Sequence, residues 1–428
     1  MFENIIEQSS VLQLRDDILN NRNAQSMLFF GPSYSGKGSA ALEFARALSC
    51  LEKGEWKCTC LSCKQHRYLQ HEDLLALGTR SFSTEISACS SSFLRNTENQ
   101  NARLLLLRSF RKLMLRFSPV LMEDNQKLAK TANVCKSLDE KLNEFLDSEE
   151  MDKAAYEKLC NLMIKDAHTL ENDGLGHTIP IGHIRSASYW CRLSPSGKRK
   201  TLIIENAENM RDESRNSLLK ILEEPPDSVN IVLTAHSRES IMPTILSRLR
   251  PYRFLKRTKE NEKEVIRRVF LDNKDMSLSE YLDSFMHQST EKMYPVAAWF
   301  IVSLARIAAM SVKKRGDGNI PSFVNLLGER YSKAAETSGL VRCLNSASVI
   351  KTLNKNFEEA SFPRFMKICL DLISEAARSS ADPQCIEYND VFRKHINETV
   401  TAVDVFNINT TIALEALFFK LKTSLIRR

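Results

Sequence analysis

A glycine-rich segment that ends in a lysine, residues 31–39, has the composition of a loop that holds phosphate. Its sequence GPSYSGKGS fits the pattern G-x-x-x-x-G-K. In this pattern the glycines let backbone N–H groups face phosphate oxygens, and the lysine adds a positive charge. The candidate nucleotide-binding residues of this segment are Gly31, Ser35, Gly36, Lys37, Gly38 and Ser39.

Position 38 departs from the phosphate-loop pattern. Gly38 stands where a serine or threonine hydroxyl ordinarily holds Mg²⁺. Ser39 is one residue further along a helix, rotated by about 100°, and is a poor substitute. The sequence therefore predicts that nucleotide binding is doubtful and that metal-dependent hydrolysis is lost.

The acidic residues that a working ATPase needs are also incomplete. Such enzymes end a second strand in an Asp for Mg²⁺ and use a further residue to orient the attacking water. Here the strand ends in Glu205, followed by Asn206, which cannot act as a base, and Glu208 is displaced along the chain. The changes at Gly38 and Asn206 both predict a protein without ATPase activity of its own.

Four cysteines lie close together in the sequence, in the pattern Cys50-x7-Cys58-x-Cys60-x2-Cys63. A C-x-x-C turn lets two thiolates face one tetrahedral zinc ion, and the other two cysteines complete the set. A closed four-thiolate site of this kind is structural, since no coordination position stays open. Free thiols that happen to cluster are the alternative, and His66 and His71 are nearby substitute ligands.

The composition is that of a soluble protein with several domains. The chain has 428 residues, 43% hydrophobic and 26% charged, and a net charge of +7, which permits a nucleic-acid partner without requiring one. The first residues include acids and lack the basic start of a signal peptide. The most apolar run, residues 296–304, is shorter than a membrane span. We therefore expect a cytoplasmic protein that does not contact a membrane, with thiols and metal ligands instead of disulfides.

Alternating strands and helices surround these residues. Apolar runs at 27–30, 201–204 and 230–234 predict buried strands, and helical periodicity follows the first two of them, from Lys37 and from Asp212. This order predicts an α/β fold with a parallel sheet. After Leu255 the pattern is helical.

A long segment, about residues 90–176, interrupts this alternation with helical periodicity alone. It is predicted to be an autonomous helical insertion between two strands of one domain. Residues 102–117 carry interleaved arginines and lysines, and residues 137–170 are rich in acids. The opposite charges predict a helical hairpin whose basic and acidic side chains pair with each other. The alternative is a basic helix that contacts DNA or a partner.

These pieces, in this order, resemble the clamp-loader AAA+ family of DNA polymerase III. The resemblance rests on FENIIEQ at 2–8, the cysteine knuckle after the first helix, HED at 71–73, NSLLKILEEPP at 216–226 and TILSRL at 244–249. Leu249 stands where the family has a cysteine in Ser-Arg-Cys. By this resemblance Thr234 takes the sensor-1 place and joins Glu205 and Asn206 in a degenerate nucleotide site.

The resemblance also implies a division of labour between subunits. Family members that have lost their own ATPase chemistry sit at one end of a hetero-pentamer with motor (gamma/tau) and delta subunits. They present the arginine of Ser-Arg-Cys, here Arg248, to ATP held by the neighbouring motor subunit. A guanidinium suits this role because it stays charged and can grip phosphate oxygens. The complex loads the sliding clamp on primer-template DNA within a DNA-directed DNA polymerase holoenzyme.

The same resemblance implies three domains. They are an AAA+ P-loop domain at 1–255 with a zinc module at 50–66, a small helical lid domain at 256–315 and an α-helical collar domain at 316–428. Two alternatives stay open. One is an active gamma/tau-type clamp-loader ATPase, and the other is a zinc-knuckle DNA-binding AAA+ repair protein.

Overall fold

The computed structural model describes residues 1–122, 128–148, 151–176, 178–315, 320–355, 362–380, 382–406 and 408–426. The chain divides into two compact units, Met1–Phe285 and Met286–Arg428. The predicted domain boundaries after residues 255 and 315 remain predictions.

A five-stranded parallel sheet forms the centre of the first unit, in the order β2-β3-β4-β1-β5. The predicted α/β class is thereby confirmed. The three strands expected from apolar runs form, and the sequence analysis missed β2 and β5. The strands are β1 Ser26–Phe30, β2 Leu74–Gly78, β3 Lys200–Glu205, β4 Val229–Ala235 and β5 Arg250–Arg253.

Helices cover both faces of the sheet and fill the long connection between β2 and β3. Short 3-10 turns at Leu115–Phe117 and Ala207–Asn209 accompany them. The helices are α1 Ser9–Leu19, α2 Lys37–Ser49, α3 Leu61–Arg67, α4 Ser83–Arg95, α5 Gln100–Met114, α6 Pro119–Met122, α7 Leu128–Asp147, α8 Lys153–Gly174, α9 Ile181–Arg192, α10 Asp212–Glu223, α11 Pro243–Leu246 and α12 Lys259–Val269.

The register of the sheet sets where the candidate residues lie. Phe30 pairs with Ala235, and Gly78 pairs with Glu205. Because all strands are parallel, the segments that follow β1, β3 and β4 leave the sheet at one edge. The phosphate loop after β1 and the acidic residues after β3 therefore meet there.

The helical segment between β2 and β3 shares its core with residues outside it, which argues against the autonomy expected from the sequence. Helices α4, α5, α7 and α8 share one hydrophobic core with α12 and the residues after it. Ile266 and Tyr281 are completely buried in that core. The periodicity identified the helices correctly, but it carried no information about which distant apolar residues complete their core.

The remaining helices are α13 Leu278–Arg315, α14 Ser322–Glu336, α15 Ser346–Lys355, α16 Phe362–Ser379, α17 Pro383–Phe406 and α18 Thr410–Ile426. Within α13, the segment Met293–Lys314 is long and apolar enough to cross a membrane, and 67% of its most apolar 18-residue stretch is buried in the protein. Buried side chains of this segment, including Phe300 and Leu304, belong to the core of the second unit. This burial is typical of a core helix.

Candidate phosphate site and metal centre

The loop between β1 and α2 has the backbone geometry of a phosphate loop. Gly31 has φ +151°, and a Cβ there would lie 2.1 Å from the carbonyl oxygen of Phe254. Gly36 precedes α2 with φ +97° in the left-handed region. Only glycine tolerates both requirements, close approach and positive φ. The predicted turn therefore forms in the predicted place, directly before a helix N-terminus.

Lys37 lies folded along this loop. Its Nζ donates to the carbonyl oxygens of Gly31 at 2.5 Å and Pro32 at 2.7 Å. Burial lowers the pKa of Lys37 to about 8, because a low-dielectric environment disfavours the charged form. The lysine is thus held at the loop, where it must release carbonyl groups before it can grip a phosphate.

The residues that would surround Mg²⁺ differ most from those of a working ATPase site. A Cβ at Gly38 would lie 2.7 Å from Oε1 of Glu205 and 3.4 Å from Nη1 of Arg80. Arg116 donates from Nη2 to Oε2 of Glu205 at 2.5 Å, and both side chains are buried. Glu205 is therefore an ion-pair partner instead of a metal ligand, and no hydroxyl is present at position 38. These residues do not fit a Mg²⁺ site.

Aromatic packing holds the two arginines in this arrangement. The ring of Phe82 lies 4.8 Å from the guanidinium of Arg80 and 5.4 Å from that of Arg116. Arg80 also pairs with Glu85 at 2.6 Å. Sequence reasoning missed Arg80 and Arg116, because they come from the connections after β2 and after α5 and belong to no motif.

Residues at the ends of β3 and β4 complete this edge of the sheet. Asn206 has φ +53°, and its backbone N–H donates to the Thr234 hydroxyl at 3.3 Å. His236 lies nearer the loop, with its Nε2 3.0 Å from the Ser33 hydroxyl and its Nδ1 2.6 Å from Glu208 Oε1. Sequence reasoning missed His236, although a polar residue after a predicted strand was an available indication.

The other two predicted loop residues have modest roles. The Ser35 hydroxyl donates to the carbonyl oxygen of Pro32 at 2.8 Å and stabilises the turn. Ser39 lies in the first turn of α2 and is half-buried. Their contribution to phosphate binding stays a prediction.

The four cysteines of the knuckle come together in space. The Sγ atoms of Cys50, Cys58, Cys60 and Cys63 all lie within 4.8 Å of one another. Three of the cysteines come from the α2–α3 connection and meet Cys63 of α3, as a four-thiolate site requires. The residues fit a zinc ion, which would cross-link this connection when bound.

Donors around the cysteines act against burial, which raises the pKa of the Cys63 thiol, while the pKa of Cys60 is lowered. Arg46 donates from Nη1 to Sγ of Cys63 at 2.9 Å, and the backbone N–H of Gly54 donates to Sγ of Cys50 at 3.2 Å. Burial alone would raise the pKa of Cys60, but hydrogen bonds from the backbone N–H groups of Cys63 and Leu51 lower it to about 6. Positive charge and N–H donors around sulfur are the usual means of making a thiol a metal ligand.

The two histidines near the knuckle contact each other, and among the described residues only the ring of His71 has hydrogen-bond partners. The rings of His66 and His71 stack with centroids 4.2 Å apart. His71 bonds through Nε2 to the Ser62 hydroxyl and through Nδ1 to the backbone N–H of Asp73. Within the described part of the chain, the cluster that can hold a metal contains the four cysteines without either histidine.

Arg248 lies at the surface after α11. Its Nη2 donates to Glu223 Oε1 at 2.6 Å, and its Nη1 donates to the carbonyl oxygen of Thr244 at 2.6 Å. The side chain is 32% exposed. It is therefore accessible, and a single exposed ion pair is a weak restraint on it.

The basic residues of α5 and the turn after it are used inside the protein. Arg103 donates to the carbonyl oxygen of Phe145, and Lys112 and Arg116 pair with carboxylates. The remaining two arginines donate to backbone carbonyl oxygens near the end of α3: Arg108 and Arg111. This helix is therefore not a free basic face for DNA, and its charges are not satisfied mainly by the acids of residues 137–170.

A basic cleft lies elsewhere, between α9 and α10. Its volume is about 240 Å³, and its lining includes Arg185, Arg192, Lys220 and the exposed ring of Tyr189. Within the described residues, these three cations have no hydrogen-bond or ion-pair partner. Unpaired cations beside an exposed aromatic ring are the composition of a nucleic-acid backbone contact.

Known proteins similar to this chain agree with the sequence resemblance. A family model described as "DNA polymerase III, delta subunit" matches residues 6–116 and 111–258. The Pseudomonas aeruginosa DNA polymerase III subunit delta' is 31% identical over 96 residues. That match spans 21% of this chain and 29% of the relative, well under two thirds of its length.

Two solved structures resemble the chain at low identity. A DNA polymerase III gamma subunit-related protein of Thermotoga maritima shows 13% identity and a TM-score of 0.39, over 97% of this chain and 100% of that one. The Aeropyrum pernix ORC1 protein in complex with DNA shows 11% identity and a TM-score of 0.30, over 82% of this chain and 84% of that one.

The match to the family model extends over more than half of the 428 residues. The chain therefore belongs to the DNA polymerase III delta subunit family.

Proposed function

We propose that this chain is a non-hydrolysing, delta-prime-type subunit of a clamp loader. In this role it joins motor (gamma/tau) and delta subunits in a cytoplasmic hetero-pentamer that places the sliding clamp on primer-template DNA. The observation that carries the proposal is the state of the phosphate site. The phosphate loop is present. The acid that would face the metal in a working site, Glu205, instead lies against Gly38 and pairs with arginines.

Arg248 is the residue proposed to act on a neighbour. It lies at the surface with one exposed ion pair, so it can turn toward ATP held by an adjacent subunit at low cost. A guanidinium keeps its charge and presents a planar fork of donors to phosphate oxygens. The contribution is electrostatic, since charge develops on the phosphoryl oxygens in the transition state.

The remaining features support the same assignment. The four-cysteine cluster is proposed to hold a structural zinc ion, and the cleft between α9 and α10 is proposed to contact the DNA backbone within the complex. The alternative of an active gamma/tau-type ATPase needs a metal site that these residues do not fit. A zinc-knuckle repair protein would have to bind DNA tightly by itself, with a steep salt dependence.

The experiment is reconstitution of the loader with an Arg248→Ala chain. We expect normal assembly and a loss of at least about tenfold in clamp- and DNA-stimulated ATPase activity, because trans-acting arginines contribute up to about 10⁵ in rate. Arg248→Lys should rescue poorly, since an ammonium lacks the fork. The matched control is Arg267→Ala, an exposed arginine paired with Glu264, which should leave the rate unchanged.

Two outcomes contradict the proposal. Wild-type ATPase activity in the Arg248→Ala complex would make the chain a passive member of the ring. Mg²⁺-dependent ATP turnover by the isolated wild-type chain would assign it to the motor class.

A further inference from the structure

Arg46 of α2 is a buried arginine whose donors reach the cysteine knuckle at two points. Its Nη1 donates to Sγ of Cys63 at 2.9 Å, and its Nη2 donates to the carbonyl oxygen of Gly54 at 2.8 Å. The N–H of Gly54 in turn donates to Sγ of Cys50 at 3.2 Å. Arg46 therefore contacts one buried cysteine directly and the other through Gly54.

A charge argument gives these contacts a purpose. A four-thiolate zinc centre is negatively charged overall, because four thiolates outweigh one divalent ion. Cys50 and Cys63 are buried, so water cannot offset the charge on their side, and a buried charge needs a partner. Arg46 is 2% exposed and keeps its positive charge at any ordinary pH. Its guanidinium is placed to offset the charge of the centre at Cys63.

Glu43 fixes this guanidinium and also holds the start of the chain. Its carboxylate accepts from Nε of Arg46 at 2.8 Å and from Nη2 at 2.7 Å, a two-pronged contact that sets the plane of the fork. Oε1 of Glu43 also accepts from the backbone N–H of the buried Phe2 at 3.2 Å. Met1 lies against the knuckle, since a Cβ at Gly54 would be 2.9 Å from its Cε.

The segment held by this ion pair, residues 1–8, also reaches the phosphate loop. Arg257 donates from Nη1 to the carbonyl oxygen of Ile6 at 2.9 Å. Its Nε donates to the carbonyl oxygen of Tyr34, within the phosphate loop, at 3.0 Å. The start of the chain therefore lies between the cysteine knuckle and the phosphate loop and contacts both through arginines.

We propose that Arg46 is a positioning residue of the metal centre, which offsets the charge of bound zinc at Cys63 and, through Glu43, makes the packing of residues 1–8 depend on the metal. The inference rests on the proposed zinc site and adds a consequence outside the knuckle. Zinc cross-links the segment that carries Gly54 and Cys63. Without that cross-link Arg46 loses two fixed acceptors, and the acid that holds the start of the chain loses a fixed partner.

The first test replaces zinc by cobalt(II) in the isolated full-length chain and records the sulfur-to-cobalt charge-transfer absorption. The variant is Glu43→Gln/Arg46→Gln, which removes the arginine without leaving a buried carboxylate unpaired. We expect the band to move to lower energy, because a thiolate that loses a hydrogen bond gives up its electron more easily. Zinc affinity should fall by about 10–100-fold, the usual effect of losing a partner of a metal ligand.

The matched control is Arg67→Gln. Arg67 holds the knuckle through the backbone, by donating to the carbonyl oxygens of Cys58 and Trp56. Its loss should loosen the knuckle while the charge-transfer band stays in place. A shift in the Glu43→Gln/Arg46→Gln protein alone therefore reports the contact with sulfur and not a general loss of structure.

The second test is hydrogen exchange with and without zinc. Removal of zinc from the wild type with a chelator should raise exchange in residues 1–8 as well as in residues 50–68. In the double variant, residues 1–8 should exchange rapidly even with zinc bound and should not respond to its removal. Strand β1 is the internal reference, since it is buried in the sheet and its protection should not change.

The outcomes separate the zinc site from the role of Arg46. A wild-type chain that binds neither zinc nor cobalt would refute both. One bound metal with the same affinity and the same band in the double variant would refute the inference alone. Exchange that rises only in residues 50–68 would contradict the link to the start of the chain. If the double variant does not fold, Arg46→Lys, which keeps the charge but lacks the fork, takes its place in both tests.

Discussion

At the start of α2, the side chain of Glu205 occupies the space that a side chain at position 38 would need. The glycine has no side chain, and the carboxylate oxygen of Glu205 lies where a Cβ would begin. Because Glu205 is fixed by Arg116 from within the protein, it has little freedom to move aside. A hydroxyl-bearing residue at this position would require Oε1 of Glu205 to shift.

Gly38→Ala therefore tests the packing of the site. We expect a loss of about 1–3 kcal/mol in the free energy of unfolding, the usual cost of overpacking. Gly182→Ala is the control, since a Cβ there meets nothing within 4 Å; it should be neutral or stabilising by up to about 1 kcal/mol. Urea denaturation measures both, and a Gly38→Ala protein as stable as wild type would show that Glu205 moves freely.

Residues within a local motif were predictable, and their distant partners were not. Lys37 and the four cysteines follow from spacing alone, because each set acts within a few turns of chain. Arg116 lies 89 residues from Glu205 along the chain, and no periodicity links the two. An ion pair of this kind is fixed by tertiary packing.

At the scale of elements, burial explains why β5 was not predicted but not why β2 was missed, since β2 is as buried and apolar as β1. The strands β1, β3 and β4 are almost wholly buried and apolar, so their runs stand out. The strand β5 reads Arg-Pro-Tyr-Arg, and only Tyr252 of its side chains is buried. A polar edge strand of four residues has no hydrophobic pattern to detect.

Helix α5 is hydrogen-bonded to the end of α3, the helix that carries the last cysteine of the knuckle. Arg108 donates to the carbonyl oxygen of Arg67, and Arg111 donates to that of Tyr68 at 2.8 Å. These carbonyl groups lie at the end of α3, where a helix leaves acceptors without internal partners. The arginines that suggested a DNA-binding face therefore cap α3.

The knuckle predicts one zinc ion per chain. Cys60→Ser combined with Cys63→Ser should abolish zinc in elemental analysis and raise hydrogen exchange in residues 50–68, because the ion cross-links that segment. The sheet should stay protected, since α5 still anchors α3. Cys135→Ser, a half-buried cysteine of α7, is the control. Zinc well below one equivalent in the wild type, or unchanged in the double variant, would refute the site.

At the scale of the whole molecule, sequence periodicity identified helical regions but not the units they form. The helical segment between β2 and β3 appeared separable because its helices are contiguous in the chain. Its core is completed by Ile266, Phe270 and Tyr281, which lie beyond the last strand. Its end also supplies Arg116, the buried ion-pair partner of Glu205. Both links join residues far apart in sequence.

Removal of residues 100–170 with a short linker should therefore fail to give a stable first unit. The deletion uncovers the buried side chains of Ile266 and Tyr281 and leaves Glu205 without its arginine. A point variant separates loss of this core from a poor linker. Ile266→Ala removes a completely buried side chain that α12 contributes to this core, at a cost of about 2–5 kcal/mol.

The control for both variants alters the solvent-exposed face of the same segment. Glu157, Lys158 and Asn161 are exposed on α8. Replacing all three by alanine should therefore change the free energy of unfolding by less than about 0.5 kcal/mol per substitution. Thermal unfolding and solubility are the measurements. A soluble deletion protein with the wild-type melting temperature would establish the segment as an independent insertion. Loss of stability in Ile266→Ala, without loss in the α8 surface variant, is the result that a shared core requires.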